Sequence, residues 1–174
     1  SWEGAHSTLV PSGLFIESNA SEIFKTSFGA NFIKANIDFN RLAKLNIVNI
    51  FARPLWLKSF FVLKYPSVII QHQGSYLLKY LSQIVKKNAG IISVLSIHQN
   101  HFSLIIFQNE ELKAYLINNY EHKDDIIYHY ANAFNQLKLF KSNGILKIIS
   151  SSKKANDIGK NLEEDINNLK LTPQ

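Results

Sequence analysis

Apolar positions along the chain change their spacing once, near Gly90, and the change separates two halves of different kind. Ahead of it the spacing is mostly helical. Residues 17–28 bring Ile16, Ala20, Ile23, Phe24 and Phe28 close to one helical face. Residues 77–85 repeat Leu77, Tyr80, Leu81, Ile84 and Val85 at i, i+3, i+4, i+7 and i+8, with Lys86, Lys87 and Gly90 where a helix closes. Between these stripes, residues 46–52 read as a strand that stops before Arg53-Pro54. A helix over 54–64 follows, with Pro54 at its first position and its aromatics buried on one side. Residues 67–71 are a short apolar run of the kind found in buried parallel strands, and residues 6–10 are a strand end stopped by Pro11.

Past Gly90 the period is two. Residues 92–98, 101–107 and 112–119 alternate as three strands joined by links of hairpin length. A helix over 122–138 turns Ile126, Ile127, Tyr130, Ala133, Phe134 and Leu137 inward, with Asp124 and Asp125 in its first turn and Lys138 in its last. After Asn143-Gly144 come a strand over 145–150 and a helix striped by Ile158, Leu162, Ile166 and Leu169. The second half therefore runs β-β-β-α-β-α, a meander followed by a strand reached through a helical crossover. The first half runs α-β-α-β-α behind a stub of strand. If both are versions of one mixed-sheet unit, the first lacks its own three-strand meander. The chain also contains no methionine and opens on Ser1-Trp2-Glu3, as a fragment or processed chain would.

Composition sharpens this picture in four ways. At 174 residues and 46% apolar, one compact unit or two small lobes can form without disulfides or metal. The absence of cysteine removes disulfide frameworks and Cys-based metal or redox chemistry. No apolar run approaches the roughly 18 residues of a transmembrane helix, and no signal peptide opens the chain, so a soluble, cytoplasmic protein without membrane insertion is expected. Residues 1–89 hold ten Lys/Arg against four Asp/Glu, whereas residues 90–174 hold nine of each. A boundary near Ala89-Gly90 is expected from that asymmetry, with lobes at 1–89 and 90–174.

The stretches HSTLVPSGLF, NIVNIFARPLWLKSFFVLKYPSVIIQH and VLSIHQNHFSLIIFQNEELKAYLINNYEHKDDIIYHYANAFNQLKL resemble an uncharacterised family of Bacteroidetes-type bacteria, a domain of unknown function with an actin-like ATPase fold. The resemblance covers roughly residues 6–150, and family members continue ahead of the STLVP segment with an N-terminal meander. It implies an α/β fold of two ribonuclease H-like lobes, each with a mixed sheet. It also implies a test. In actin-like ATPases the first hairpin of the second lobe carries an Asp for the metal and glycines that let backbone N–H groups approach phosphate. The matching positions here, His98, Gln99, Asn100, His101 and Ser103, supply neither. The adenosine contact usually needs a Gly pair after the later strand, where this chain has Ser150, Ser151 and Ser152. These eight residues mark a degenerate cleft, and neither a cofactor nor a metal is expected.

Other constellations have plainer explanations. His98 and His101 flank a two-residue turn, but two ligands fall short of a zinc site, and a solvated hairpin is the simpler reading. Glu121, Asp125 and His129 recur every four residues, as an acid/base array or, far more commonly, as a solvated helix face. The strands after Gly90 have no internal Asp or Glu, which removes the two-metal nuclease version of the fold. Core packing accounts for most of Trp56, Phe60, Phe61, Tyr65, Tyr76 and Tyr80. Codon bias accounts for much of the basic pI, since Ile, Asn and Lys make up about a third of the chain. The expected function is a non-catalytic binding or scaffold module with a protein or peptide partner, self-association through the first lobe included. A nucleotide-dependent phosphotransferase with drifted motifs is the alternative, and a basic nucleic-acid-binding protein the third; dispersed lysines and only two arginines argue against the last.

Overall fold

The protein is described here by a computed structural model that covers residues 4, 6–29, 37–85, 90–139, 144–150 and 152–171, excepting the side chains of 58, 62, 153, 154 and 167–171. Its chain divides into two compact units, Ser1–Gln83 and Ile84–Gln174.

In the first unit, β1 (Ser7–Pro11), α1 (Ala20–Phe28), β2 (Ile37–Leu42) and β3 (Ile47–Ala52) precede two helices, α2 (Leu55–Lys64) and α3 (Gln73–Ile84). Its sheet has the order β1-β3-β2, antiparallel throughout. Successive β3 side chains point to opposite faces, and the two faces have different partners. Val48 and Ile50 join Phe15, Ala20 and Phe24 in a hydrophobic core under α1. Asn49 and Phe51 face the start of α3, where Asn49 bonds to Ser75 and Phe51 packs 5.1 Å from the His72 ring.

Three expectations for this half are corrected. Residues 37–42 form a strand that the polar IDFNRL sequence does not advertise. Residues 67–71 are not a strand: the Asn40 side chain donates to the Ile70 carbonyl at 3.2 Å and accepts from the His72 N–H at 2.9 Å. One amide thus does locally what a paired strand would do, and Ile69 is left 86% exposed. The order of the half is therefore β-α-β-β-α-α. Pro54 sits one residue ahead of α2 in an extended conformation, and the helix exposes Trp56 and Phe60 while burying Leu57.

The second unit contains β4 (Ile91–Ile97), β5 (His101–Gln108), β6 (Glu111–Asn119), α4 (Lys123–Gln136), β7 (Gly144–Ser150) and α5 (Lys153–Leu171). The sheet order is β6-β5-β4-β7, with the first three strands an antiparallel meander and β7 parallel to β4, as the period-2 spacing and helical crossover predict. Asn109 and Glu110, with φ of 49° and 71°, make the left-handed two-residue turn between β5 and β6. Helices α4 and α5 cover one core, in which Phe102, Tyr130 and Phe134 are almost fully buried, each contributing about 2–3 kcal/mol of apolar burial. Lys138 falls beyond α4 rather than in its last turn, in a left-handed conformation (φ 56°) that ends the helix. Lys86 and Lys87, expected to close α3, lie outside the described residues. No helix among the described residues is long and apolar enough to cross a membrane.

Candidate functional site

The register of the second sheet decides which loops meet. Ile97 pairs with Phe102 on one side and with Ser150 on the other, and His101 pairs with Asn119. The turn of residues 98–101, the end of β6 and the link from β7 to α5 therefore share one end of the sheet. Most of the degenerate cleft positions read from the sequence come together there, except that Ser151 lies outside the described residues.

The turn is closed by its own bonds. The His98 N–H donates to the His101 carbonyl at 2.9 Å, the Tyr120 hydroxyl donates to the His98 carbonyl at 2.6 Å, and the Tyr120 N–H donates to the Asn100 carbonyl at 3.2 Å. Burial raises the Tyr120 pKa, which keeps the hydroxyl a donor. The expectation of a solvated hairpin fails for His98, which is only 2% exposed. Its ring stacks on His101 with centroids 4.6 Å apart, and its Nε2 lies 3.1 Å from the Ser96 hydroxyl. Gln99 and Asn100 are exposed at the tip, while Ser103 is buried opposite Ser96. A serine hydroxyl on an imidazole nitrogen is the pairing of a nucleophile and its base. Here Ser96 is 1% exposed inside β4, so the contact satisfies two buried polar groups.

The remaining candidates are structural. The Ser150 hydroxyl lies against α5, where a Cβ added to Gly159 would stand 3.2 Å from it. The Ser152 hydroxyl accepts from the Ala155 N–H at 3.2 Å and so caps the start of α5. Asp125 caps the start of α4. Its carboxylate accepts the backbone N–H groups of Glu121 and His122 at 2.9 and 3.0 Å, and those two bonds hold its pKa below the ordinary value. Among the described residues, no group of three His, Cys, Asp or Glu is placed to hold a metal. Trp56, Phe60, Tyr65, Tyr76 and Tyr80 are all at least half exposed, which corrects their assignment to the core.

Sequence reading missed two features of weight. Tyr120 closes the turn through a contact of 22 residues' separation, and a buried polar seam in the first unit joins Ser7, Asn49, His72 and Ser75. An asparagine inside the apolar strand NIVNIFA was the one visible sign of that seam.

Burial pushes the His98 imidazole below its ordinary pKa of 6.5. Above that value both the folded and unfolded chains are neutral at this ring, and its contribution to stability is fully present. As the pH falls below 6.5 the unfolded chain binds the proton first, so stability is lost on acidification. The melting temperature should drop between about pH 7.5 and 5.5, and drop less in His98→Gln. An identical fall in the variant would remove His98 as the cause.

The chain has an actin-like ATPase fold, shown by its superposition on a solved structure. A crystal structure from Bacteroides thetaiotaomicron, described as a protein with actin-like ATPase fold and unknown function, superposes with a TM-score of 0.79 over 94% of this chain at 20% identity. The chain spans 63% of that protein's length. A structure described as the PilM-PilN type IV pilus biogenesis complex gives a TM-score of 0.47 at 11% identity, over 92% of this chain and 63% of that one. The chain belongs to the family described as Protein of unknown function (DUF3822), whose model matches residues 3–169. No curated protein matches it.

Proposed function

We propose that the protein is a non-catalytic binding module on an actin-like fold, acting in the cytoplasm. In this reading residues 1–89 belong to the first ribonuclease H-like lobe and residues 90–174 form the second. The observation that carries it is the 98–101 turn. It offers no carboxylate for a metal and no glycine for a phosphate, and its buried imidazole and backbone groups already bond to Ser96, His101 and Tyr120. The exposed aromatic side chains of α2 and α3 support a protein or peptide as the partner, a second copy included.

Thermal melts with ATP and Mg²⁺ test the absence of nucleotide chemistry. A ligand at 100 times its dissociation constant stabilises a fold by about 2.7 kcal/mol, which moves the melting point of a chain this size by roughly 5–10 °C. Millimolar ATP/Mg²⁺ should leave it nearly unmoved. A shift of several degrees, abolished when Mg²⁺ is withdrawn, would overturn the reading in favour of a phosphotransferase.

A further inference from the structure

The first unit contains a pocket of about 190 Å³ between the end of β2 and the middle of α3. Leu42, Ala43 and Leu45 form part of its lining, together with Arg41, Lys44 and Lys79. The sequence folds this way because β2 ends at Leu42 and a single 3-10 turn follows, closed by Asn46 in the left-handed region (φ 54°). The Asn46 carbonyl then accepts the Ser12 N–H at 2.9 Å, tying the turn to the residue after β1.

The remaining lining residue, Ser82, donates its hydroxyl to the Lys79 carbonyl at 2.8 Å. Arg41 is positioned by two rings, its guanidinium carbon standing 5.0 Å from the Phe15 centroid and 5.4 Å from that of Phe39. Glu17 approaches it at 3.9 Å, with both side chains more than half exposed, which makes a weak ion pair. Among the described residues no Asp or Glu lines the pocket, and Lys44 and Lys79 are exposed. The result is an apolar hollow surrounded by three cations, in the half of the chain that holds ten Lys/Arg against four Asp/Glu.

Size and charge together narrow the ligand. Small-molecule and cofactor sites occupy about 300–1,000 Å³. This pocket is smaller and suits a single apolar side chain. Single-stranded nucleic acid is held by stacking bases on aromatic rings above a basic groove, whereas the lining here is aliphatic. The geometry points to an anchor site for an acidic peptide segment of a protein partner. The pocket takes one leucine- or phenylalanine-sized side chain, and carboxylates on either side of it meet Arg41, Lys44 and Lys79. This assignment rests on the binding-module reading above and gives it a location and a ligand chemistry.

The test is fluorescence anisotropy on the full chain with a short labelled peptide in which one leucine is flanked by aspartates and glutamates. Binding should weaken with added salt, and by at least about tenfold when the peptide's leucine becomes serine, since the buried apolar side chain is then lost. The double variant Lys44→Glu/Lys79→Glu should weaken binding by at least about tenfold through charge reversal. Ala43→Leu keeps the charge, fills the hollow, and should weaken binding as well. All three positions are exposed, and unchanged melting temperatures would show that the variants remain folded. Failure of the peptide to bind, equal binding by the charge-reversed variant, or tighter binding of a single-stranded oligonucleotide would each overturn the assignment. None of these would touch the conclusion about nucleotides. Stabilisation by ATP/Mg²⁺ would overturn that conclusion whatever the peptide does.

Discussion

Asn49→Ala should lower the stability of the first unit by about 3 kcal/mol, a fall in melting temperature of roughly 6–12 °C. Asn49 is fully buried in the middle of β3. Its carbonyl oxygen accepts the Ser7 hydroxyl at 2.6 Å, and its amide nitrogen donates to the Ser75 hydroxyl at 2.9 Å and lies 3.4 Å from His72 Nδ1. Alanine removes all three contacts; His72 Nδ1 still accepts the Gly74 N–H at 3.1 Å, while the buried Ser75 hydroxyl loses its Asn49 donor. The cost of a lost partner exceeds the net worth of the bond, because the remaining group has given up water without replacing it. The triple variant Ser7→Ala/Asn49→Ala/Ser75→Ala should therefore recover part of the loss. If it is no more stable than the single variant, the cavity rather than the lost Ser7 and Ser75 bonds sets the cost. Chemical denaturation of the three proteins distinguishes these outcomes.

Asp38→Ala should cost a similar amount, about 3 kcal/mol, and the loss should be largely reversed by adding Arg53→Met. The Arg53 side chain is 5% exposed and its Nε lies 2.7 Å from the Asp38 carboxylate. Removing the carboxylate leaves a guanidinium in a site too dry to hydrate it. Removing both charges leaves an apolar side chain in an apolar place, and stability should return to within about 1 kcal/mol of the parent. Asp38 also accepts its neighbour Phe39's N–H at 2.9 Å, and its carboxylate is partly open to solvent, which places the expected cost at the lower end for a buried pair. A double variant as unstable as the single one would show that the Arg53 charge is not what the carboxylate serves.

The second unit was the legible one. Ile92, Val94 and Ile105 alternate with polar or opposite-facing neighbours, and Tyr130 and Phe134 recur at helical spacing; local periods of this kind follow from backbone geometry alone. The first unit was not. Its β2 carries Asp38, Asn40 and Arg41, so its pairing with β3 rests on contacts with Arg53, His72 and the Phe15 ring that no local pattern announces. Residues 67–71 looked like a strand because three consecutive apolar positions, Val68, Ile69 and Ile70, stand ahead of Gln71, yet Asn40 already occupies the Ile70 carbonyl and the His72 N–H.

The same division holds for the site. The positions that the resemblance marks as a cleft could be read in the sequence to carry neither carboxylate nor glycine. Whether those residues faced water or the interior depended on partners far along the chain. Tyr120 bonds the His98 carbonyl from 22 residues away, α5 covers the Ser150 hydroxyl, and Lys79 lines the same pocket as Lys44 only because α3 returns to the end of β2. Periodicity is a property of neighbours within one element, and it is readable in the chain. Burial, hydrogen-bond partnership and the gathering of charge around a pocket are properties of residues tens of positions apart, and folding alone brings those together.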